Sequence, residues 1–143
     1  MSLTDKIRDA IQQSGLSLYL IEHETDVLYP ALRNLMAGKG GVRLSTADKL
    51  ASHFGLRLQR ADGDLVLDDA SAPLSNQLRL VIQQSRQSVQ HIQQVSGVRT
   101  DALVRFLAGE QDLLLTTADK LARHFVLDLS SEASDLLSTV AAH

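Results

Sequence analysis

Apolar residues near the start of the chain recur every four positions, at Leu3, Ile7 and Ile11. This spacing places them on one face of an α-helix, with polar residues on the opposite face. Ser2 with Asp5 three residues later has the pattern of a capping box, in which each side chain bonds the other's backbone N–H. The chain is therefore predicted to start with an amphipathic helix.

The same pattern returns 71 positions later. Residues 3–58, here called repeat 1, align with residues 74–129, repeat 2, without insertion, and 24 of the 56 aligned positions are identical. The agreement is densest between residues 45–54 and 116–125. An ungapped repeat of this length predicts two structural units of one kind, so function is sought in what they share and where they differ.

Two more helices are predicted in the middle of each repeat. Ser17 and Ser88 are candidate N-caps of the second helix, and Gly38 and Gly109 are predicted to end the third. The third helix is expected to bury an apolar face made of Leu32, Leu35 and Met36 in repeat 1 and of Leu103, Phe106 and Leu107 in repeat 2.

A fourth helix has the clearest pattern. Ser45 with Asp48, and Thr116 with Asp119, are spaced as capping boxes. The apolar residues behind them fall at helical spacing: Ala47, Leu50, Ala51 and Phe54 in repeat 1, and Ala118, Leu121, Ala122 and Phe125 in repeat 2.

The segment between the repeats is predicted to form a hairpin. Strand-like residues 56–60 and 65–67 flank the Asp62-Gly63 step, which is a strong turn signal in that setting. At the end of repeat 2, residues 127–129 are predicted as a short strand, and residues 131–141 beyond it as a final helix.

Composition limits the kind of core and the kind of site. The chain has no Trp and few aromatic residues, so its core is expected to consist of Leu, Ile, Val and Ala. The absence of Cys excludes disulfides and thiolate metal sites. The start is not signal-like and no apolar run is long enough to cross a bilayer, so we expect a cytoplasmic protein.

The net charge of −3 speaks mildly against a nucleic-acid partner, but the charge is unevenly distributed. Residues 1–60 hold 8 basic and 6 acidic residues, whereas residues 61–143 hold 6 and 11. Repeat 2 itself holds 6 basic and 5 acidic residues. The acidic excess therefore lies mainly in the connector and the tail, outside both repeats.

An ordered set of residues in both repeats resembles the lambda-repressor-like family of DNA-binding proteins, also called the Cro-type or XRE family. In repeat 2 the set is Ser88, Ile92, Gly97, Val98, Leu103 and Gly109, followed by Thr117-Ala118-Asp119-Lys120-Leu121-Ala122. In repeat 1 it is Ser17, Ile21, Asp26, Val27, Leu32 and Gly38, followed by the closely similar residues 46–51. The resemblance implies a helix-turn-helix unit whose third helix, the recognition helix, enters the major groove.

These expectations together describe a mostly all-α chain. It is predicted to contain two tandem four-helix lambda-repressor-like helix-turn-helix domains joined by a short β-hairpin, plus a C-terminal helix. The predicted bounds are 1–58 for the first domain, 59–73 for the hairpin and linker, 74–129 for the second domain and 130–143 for the C-terminal helix.

The resemblance also implies which residues contact DNA: exposed residues of the recognition helix, the starts of the second and third helices, and the loop that follows. The candidates in repeat 2 are Ser88, Arg99, Thr100, Asp101 and Arg105. The candidates in repeat 1 are Ser17, Tyr29, Arg33, Asn34, Lys39 and Arg43. Arginine can bridge guanine O6 and N7, and threonine can bond a base or touch a thymine methyl group.

Both repeats depart from the family pattern. Family members usually carry a small residue where these repeats have Glu22 and Gln93, and the turn glycine is replaced by Asp26 in repeat 1. The recognition helix of repeat 1 begins with Leu28 and Tyr29, which favours apolar contact over hydrogen bonds to bases. In repeat 2 the loop at residues 110–112 is acidic, where phosphate is expected.

The leading hypothesis is a DNA-binding transcriptional regulator that uses tandem helix-turn-helix modules on double-stranded DNA, with a homodimer formed through the hairpin or the C-terminal helix. The alternative is a protein–protein interaction or antitoxin-like module with a repressor fold that has lost specific DNA binding. The chain has no nucleophile motif and no phosphate loop, so we expect neither enzymatic activity nor a metal or cofactor.

Overall fold

The structure is a computed structural model that describes residues 2–39, 41–67 and 72–131. Within these residues the chain forms eight α-helices and one two-stranded antiparallel sheet. Repeat 1 contributes α1 (Leu3–Ser14), α2 (Leu18–Thr25), α3 (Tyr29–Met36), α4 (Leu44–Phe54) and β1 (Leu56–Gln59). Repeat 2 contributes α5 (Leu74–Ser85), α6 (Val89–Ser96), α7 (Thr100–Leu107), α8 (Leu115–His124) and β2 (Asp128–Ser131). The prediction of a mostly helical chain is confirmed.

The local predictions for the first two helices are confirmed. Ser2 and Asp5 form the capping box of α1, with the Asp5 N–H donating to Ser2 Oγ at 3.0 Å. In return the Ser2 N–H donates to the Asp5 carboxylate at 3.3 Å, and this second bond lowers the pKa of the Asp5 carboxyl. Ser17 and Ser88 are the N-caps of α2 and α6, where each hydroxyl oxygen accepts a backbone N–H three residues later.

The apolar faces of both repeats meet in one continuous core. Its fully enclosed side chains come from corresponding helices of the two repeats, such as Ile21 of α2 and Ile92 of α6. Among the residues that the structure describes, no helix is both long enough and apolar enough to cross a bilayer. The two repeats therefore stabilise each other by sharing buried apolar surface, as two units of about 56 residues are expected to need.

The predicted capping boxes of the fourth helices are wrong. α4 and α8 begin at Leu44 and Leu115, two residues earlier than capping boxes at Ser45 and Thr116 require, and neither N-cap residue makes a side-chain bond. Asp48 instead accepts the backbone N–H and the hydroxyl of Ser75, at 2.9 and 2.7 Å. Asp119 accepts the same two groups of Thr4, at 3.3 and 2.5 Å. Both carboxylates thus cap the first helix of the opposite repeat.

These two contacts are symmetric. Thr4 and Ser75 occupy equivalent positions of the two repeats, and so do Asp48 and Asp119. A contact between positions i and j that recurs with the repeats exchanged defines a two-fold relation. The repeats therefore pack about a pseudo-two-fold axis, like the subunits of a dimer within a single chain.

The backbone between the third and fourth helices follows the same symmetry. The Leu44 N–H donates to the Leu113 carbonyl, and the Leu115 N–H donates to the Val42 carbonyl, both at 2.8 Å. Asp112 departs from the symmetry, because its carboxylate accepts the Ser45 N–H at 3.3 Å and the Ser45 hydroxyl at 2.6 Å, whereas repeat 1 has Gly41 at the equivalent position. The remaining contacts between the repeats are made chiefly by the first and fourth helices and the two strands.

The sheet joins the two repeats. β1 and β2 run antiparallel, and Leu58 lies opposite its own repeat equivalent Leu129, so the pseudo-two-fold axis passes between them. The predicted hairpin is correct at its turn, where the Arg60 N–H bonds the Asp64 carbonyl at 2.8 Å. It is wrong in its strand pairing, because residues 65–67 add only a single bridge to β1.

The short strand predicted at residues 127–129 is confirmed as β2, which covers Asp128–Ser131. The predicted C-terminal helix of residues 131–141 begins at the last residue of β2, and the rest of it lies outside the described residues. Residues 68–71 of the predicted linker also lie outside them.

Candidate nucleic-acid interface

The second and third helices of each repeat are joined by a tight turn. α2 ends at Asp26 with a φ of 61°, and α6 ends at Gly97 with a φ of 81°. Asp can adopt this left-handed conformation at some cost, whereas Gly adopts it freely. The next residue, Val27 or Val98, is buried in the core. The turn therefore has one geometry in both repeats, despite the change of residue.

A hydroxyl group reinforces each turn. Thr25 Oγ1 donates to the Ile21 carbonyl at 2.6 Å and accepts the Val27 N–H at 3.2 Å. The hydroxyl of Ser96 makes the equivalent two bonds in repeat 2, at 2.5 and 3.2 Å. These bonds satisfy backbone groups that the end of a helix leaves without partners.

The two residues that depart from the family pattern connect the second helix to the third. The Gln93 side-chain oxygen accepts the N–H of Thr100, the first residue of α7, at 2.7 Å. Glu22 accepts the equivalent N–H of Tyr29. A small residue at this position cannot reach that N–H, so Glu22 and Gln93 set the angle between the helices and are not available to a ligand through these atoms.

The other end of the third helix is held by an arginine from the first. Arg8 Nε donates to the Leu35 carbonyl at 3.1 Å, and Arg79 Nε donates to the Phe106 carbonyl at 2.7 Å. The Arg79 guanidinium also lies over the Phe106 ring, 4.5 Å from its centroid. Each third helix is therefore fixed at both ends by its own repeat.

The candidate residues of repeat 2 lie together at one end of α7 and along its exposed side. Arg99 is the N-cap residue and Thr100 the first helical residue. The side chains of Arg99, Asp101 and Arg105 are exposed, and Thr100 is half-buried. Arg99 Nε lies 3.5 Å from an Asp101 carboxylate oxygen. Because both side chains are exposed, this ion pair is weak and leaves Arg99 free to exchange partners.

The candidates of repeat 1 form a different surface. The Tyr29 ring stacks on that of Tyr19, with the centroids 4.4 Å apart. Hydrogen bonding to Tyr29 raises the pKa of the Tyr19 phenol. Arg33 and Asn34 are exposed on the following turns, beside the exposed Leu28. The surface is thus partly apolar and carries one positive charge.

The loops after the third helices also differ. In repeat 1, Lys39 and Arg43 are exposed. In repeat 2, the Asp112 carboxylate is occupied by Ser45 of repeat 1 and by its own neighbour's N–H. Asp112 is thereby directed to the start of α4, whereas Glu110 of the same loop is exposed.

The charge of the two surfaces follows from these positions. Between Asp26 and Asp48 the sequence holds three basic residues and no acidic one. Between Gly97 and Asp119 it holds two basic and three acidic residues. Repeat 1 therefore has the more positive loop, with Lys39 and Arg43, whereas repeat 2 has its two basic residues at the N-cap of α7 and within that helix.

The two predicted N-cap serines are exposed at the starts of α2 and α6. The oxygens of Ser17 and Ser88 already accept a backbone N–H, at 3.2 and 3.1 Å. Each hydroxyl retains its proton as a donor, which is the group that an approaching phosphate oxygen accepts.

Sequence reasoning overlooked three kinds of positioning residue. They are Glu22 and Gln93, the arginines Arg8 and Arg79, and the carboxylates that join the repeats. One signal was available for all of them. A polar residue recurs at the same place in both repeats inside or beside an apolar face, which indicates a bond to backbone instead of to solvent.

Comparison of the chain with protein-family models, with curated proteins and with solved structures finds no match. The family resemblance therefore depends on the sequence pattern alone.

Proposed function

We propose that the chain is a DNA-binding regulator of transcription that contains two lambda-repressor-like helix-turn-helix units, with α3 and α7 as their recognition helices. The observation that carries this proposal is the pseudo-two-fold packing of the repeats. Double-stranded DNA has a two-fold relation of its own between successive half-sites, and helix-turn-helix dimers match it. Here a single chain supplies the equivalent of both subunits.

The location of the interface between the repeats supports this proposal. It is made chiefly by the first and fourth helices and by the strands. The candidate residues of α3 and α7 are exposed or half-buried. A duplex that spans both helices would meet them at half-sites about 34 Å apart, which is one helical turn of DNA.

In this proposal, the hydrogen bonds at both ends of each recognition helix fix its orientation, and this orientation sets where its side chains meet the DNA. Glu22 or Gln93 holds the start of the helix, and Arg8 or Arg79 holds its end. With both ends held by protein, the exposed side chains enter the major groove at a set angle. Arg99 and Arg105 then contact base edges or phosphates.

A fluorescence-anisotropy titration of the full chain on pooled duplexes at low salt tests the proposal. We expect binding at micromolar protein or tighter, which weakens steeply as salt rises because neutralised phosphates release counterions. The absence of binding at micromolar protein and low salt contradicts the proposal.

Charge reversal separates a specific surface from general attraction. The variant Arg99→Glu/Arg105→Glu is expected to lose binding. The matched control Lys120→Glu/Arg123→Glu changes net charge equally at exposed positions of α8, outside the candidate residues, and is expected to retain most of the affinity. Equal losses in both variants would indicate that α7 is not a recognition helix.

A second candidate function has one observation in its favour. Tyr19 and Leu28 are each 69% exposed, and Leu20 beside them is 39% exposed. Apolar residues grouped on a surface are typical of protein contacts, so repeat 1 is a candidate for self-association as an interaction or antitoxin-like module. Light scattering on the chain and on a Leu28→Ser variant tests this: a dimer that the substitution dissociates, without DNA binding, favours the second function.

A further inference from the structure

The recognition helices differ at every exposed position within their bounds, while their backbones are held alike. The outward pairs, repeat 1 first, are Leu28 and Arg99, Tyr29 and Thr100, Pro30 and Asp101, Arg33 and Val104, and Asn34 and Arg105. The inward residues are the same or similar: Leu32 matches Leu103, and both are fully buried. The repeat thus preserves the support of these helices and changes only what they present.

One pair of positions makes the difference chemically explicit. Asn34 and Arg105 are equivalent and exposed. Their carbonyl groups accept the N–H of Lys39 and Glu110 respectively, each at 2.9 Å. The two side chains therefore leave the same backbone geometry. Asparagine pairs with adenine N6 and N7, whereas arginine pairs with guanine O6 and N7.

On the basis of the proposed function, we infer that the target is a non-palindromic duplex, bound by one chain in one orientation. The half-site under α7 contains guanine and the half-site under α3 is rich in A·T pairs. The two half-sites are inverted relative to each other because the repeats are related by a pseudo-two-fold axis. A homodimer of identical subunits selects like half-sites, whereas this chain presents unlike helices from the same framework.

The chemistry of each surface determines the composition of its half-site. Arg99 and Arg105 are the guanine-selecting residues of α7. On α3, Asn34 selects adenine, and the exposed Leu28 offers apolar contact to a thymine methyl group. Lys39 and Arg43 add phosphate contacts on the α3 side, which strengthen binding without selecting bases.

The first experiment is a selection of enriched sequences from randomised duplexes with the full chain. We expect a motif of two unlike halves, one with guanine and one rich in A·T, with centres about 10 base pairs apart. Affinity is then measured on this duplex and on the two palindromes built from each half. We expect the chain to bind the duplex with two unlike halves at least about 10-fold more tightly than either palindrome. A factor of this size is the effect of losing one base contact.

The second experiment exchanges the two equivalent side chains. Arg105→Asn is expected to lower affinity for the selected duplex about 10-fold, and to regain it when the matching G·C pair is replaced by A·T. Asn34→Arg is expected to do the opposite in the other half-site. Lys120→Asn is the control, and it should change neither preference. All three positions are exposed, and matching far-UV circular dichroism melting curves confirm that each variant folds.

The outcomes separate this inference from the function on which it depends. A palindromic motif overturns the inference and leaves the proposed DNA binding in place. A selected motif with only one half-site, together with an affinity that Asn34→Arg leaves unchanged, also overturns the inference. That result would assign the α3 surface to another partner such as a protein. The absence of any enriched or salt-sensitive binding overturns both.

Discussion

The carboxylates that join the repeats allow a quantitative test of the pseudo-dimer. Asp48→Ala removes the acceptor for the backbone N–H and the hydroxyl of Ser75, and Asp119→Ala does the same to Thr4. Each N–H lies in the first turn of a helix, where no carbonyl of that helix is available to it. The loss therefore affects both the interface and the start of a helix.

The magnitude follows from these bonds. Hydrogen bonds to charged groups contribute about 1.5–3 kcal/mol each. The partial burial of Asp48 offsets some of this, because its carboxylate is removed from water. Replacing a mid-helix Asp by Ala also returns about 0.5 kcal/mol of helix propensity. We expect the free energy of unfolding to fall by about 2 kcal/mol for each substitution.

Urea unfolding followed by far-UV circular dichroism measures this loss. With a slope of about 2 kcal/mol per molar urea, each variant should unfold at about 1 M lower urea. Asp9→Ala is the control, since Asp9 also lies within a helix and bonds only an exposed side chain, so only the propensity gain is expected. The two losses should add in the double variant, because the sites share no partner. A loss below about 0.5 kcal/mol in Asp48→Ala would show that these bonds do not hold the repeats together.

Three further predictions follow from individual residues. Val126→Gly should raise stability by about 1 kcal/mol, because Val126 is exposed with a φ of 54° where repeat 1 has Gly55; a lower melting temperature would contradict this. Leu58→Ala should cost about 3 kcal/mol in urea unfolding, because Leu58 is fully buried at the pseudo-two-fold axis; an unchanged midpoint would contradict its placement in the core. Burial raises the pKa of Asp48 and Asp119 in the folded chain, so protonation of these carboxyls favours folding. The resulting stabilisation is complete below the pKa that each carboxyl has in the unfolded chain, and it is lost as the pH rises through the pKa that the carboxyl has in the folded chain. The double variant Asp48→Asn/Asp119→Asn should therefore be more strongly destabilised, relative to the unaltered chain, at about pH 3.5 than at about pH 7, and a difference independent of pH would contradict the assigned shifts.

The helices could be predicted because their signals are local. The apolar spacing of Leu3, Ile7 and Ile11 defines a helical face within a dozen residues, and Ser2 and Asp5 mark where it begins. The fourth helices show where local reasoning fails. Asp48 stands at a capping position, but a helix of the other repeat offers it better donors.

The candidate contact residues could be placed on the chain but not in space. The position of Arg99 at the start of α7 follows from the repeat pattern, whereas the bonds from Gln93 and Arg79 that hold this helix depend on tertiary packing. Gln77 is a similar case. It is fully buried, and it accepts the Leu58 N–H and donates to the Ala72 carbonyl, which no sequence pattern indicates.

The sequence by itself determined the number of repeats, the helices within them and the residues that differ between the two third helices, because these depend on spacing along the chain. Only the tertiary structure decided how the repeats are joined. The strand-like residues 56–59 carry backbone groups that any neighbouring strand can satisfy, and the nearby hairpin was the obvious partner. Their main pairing is with β2, since closing the interface buries Leu58 against the core and brings the two equivalent strands together, while the hairpin adds only a single bridge.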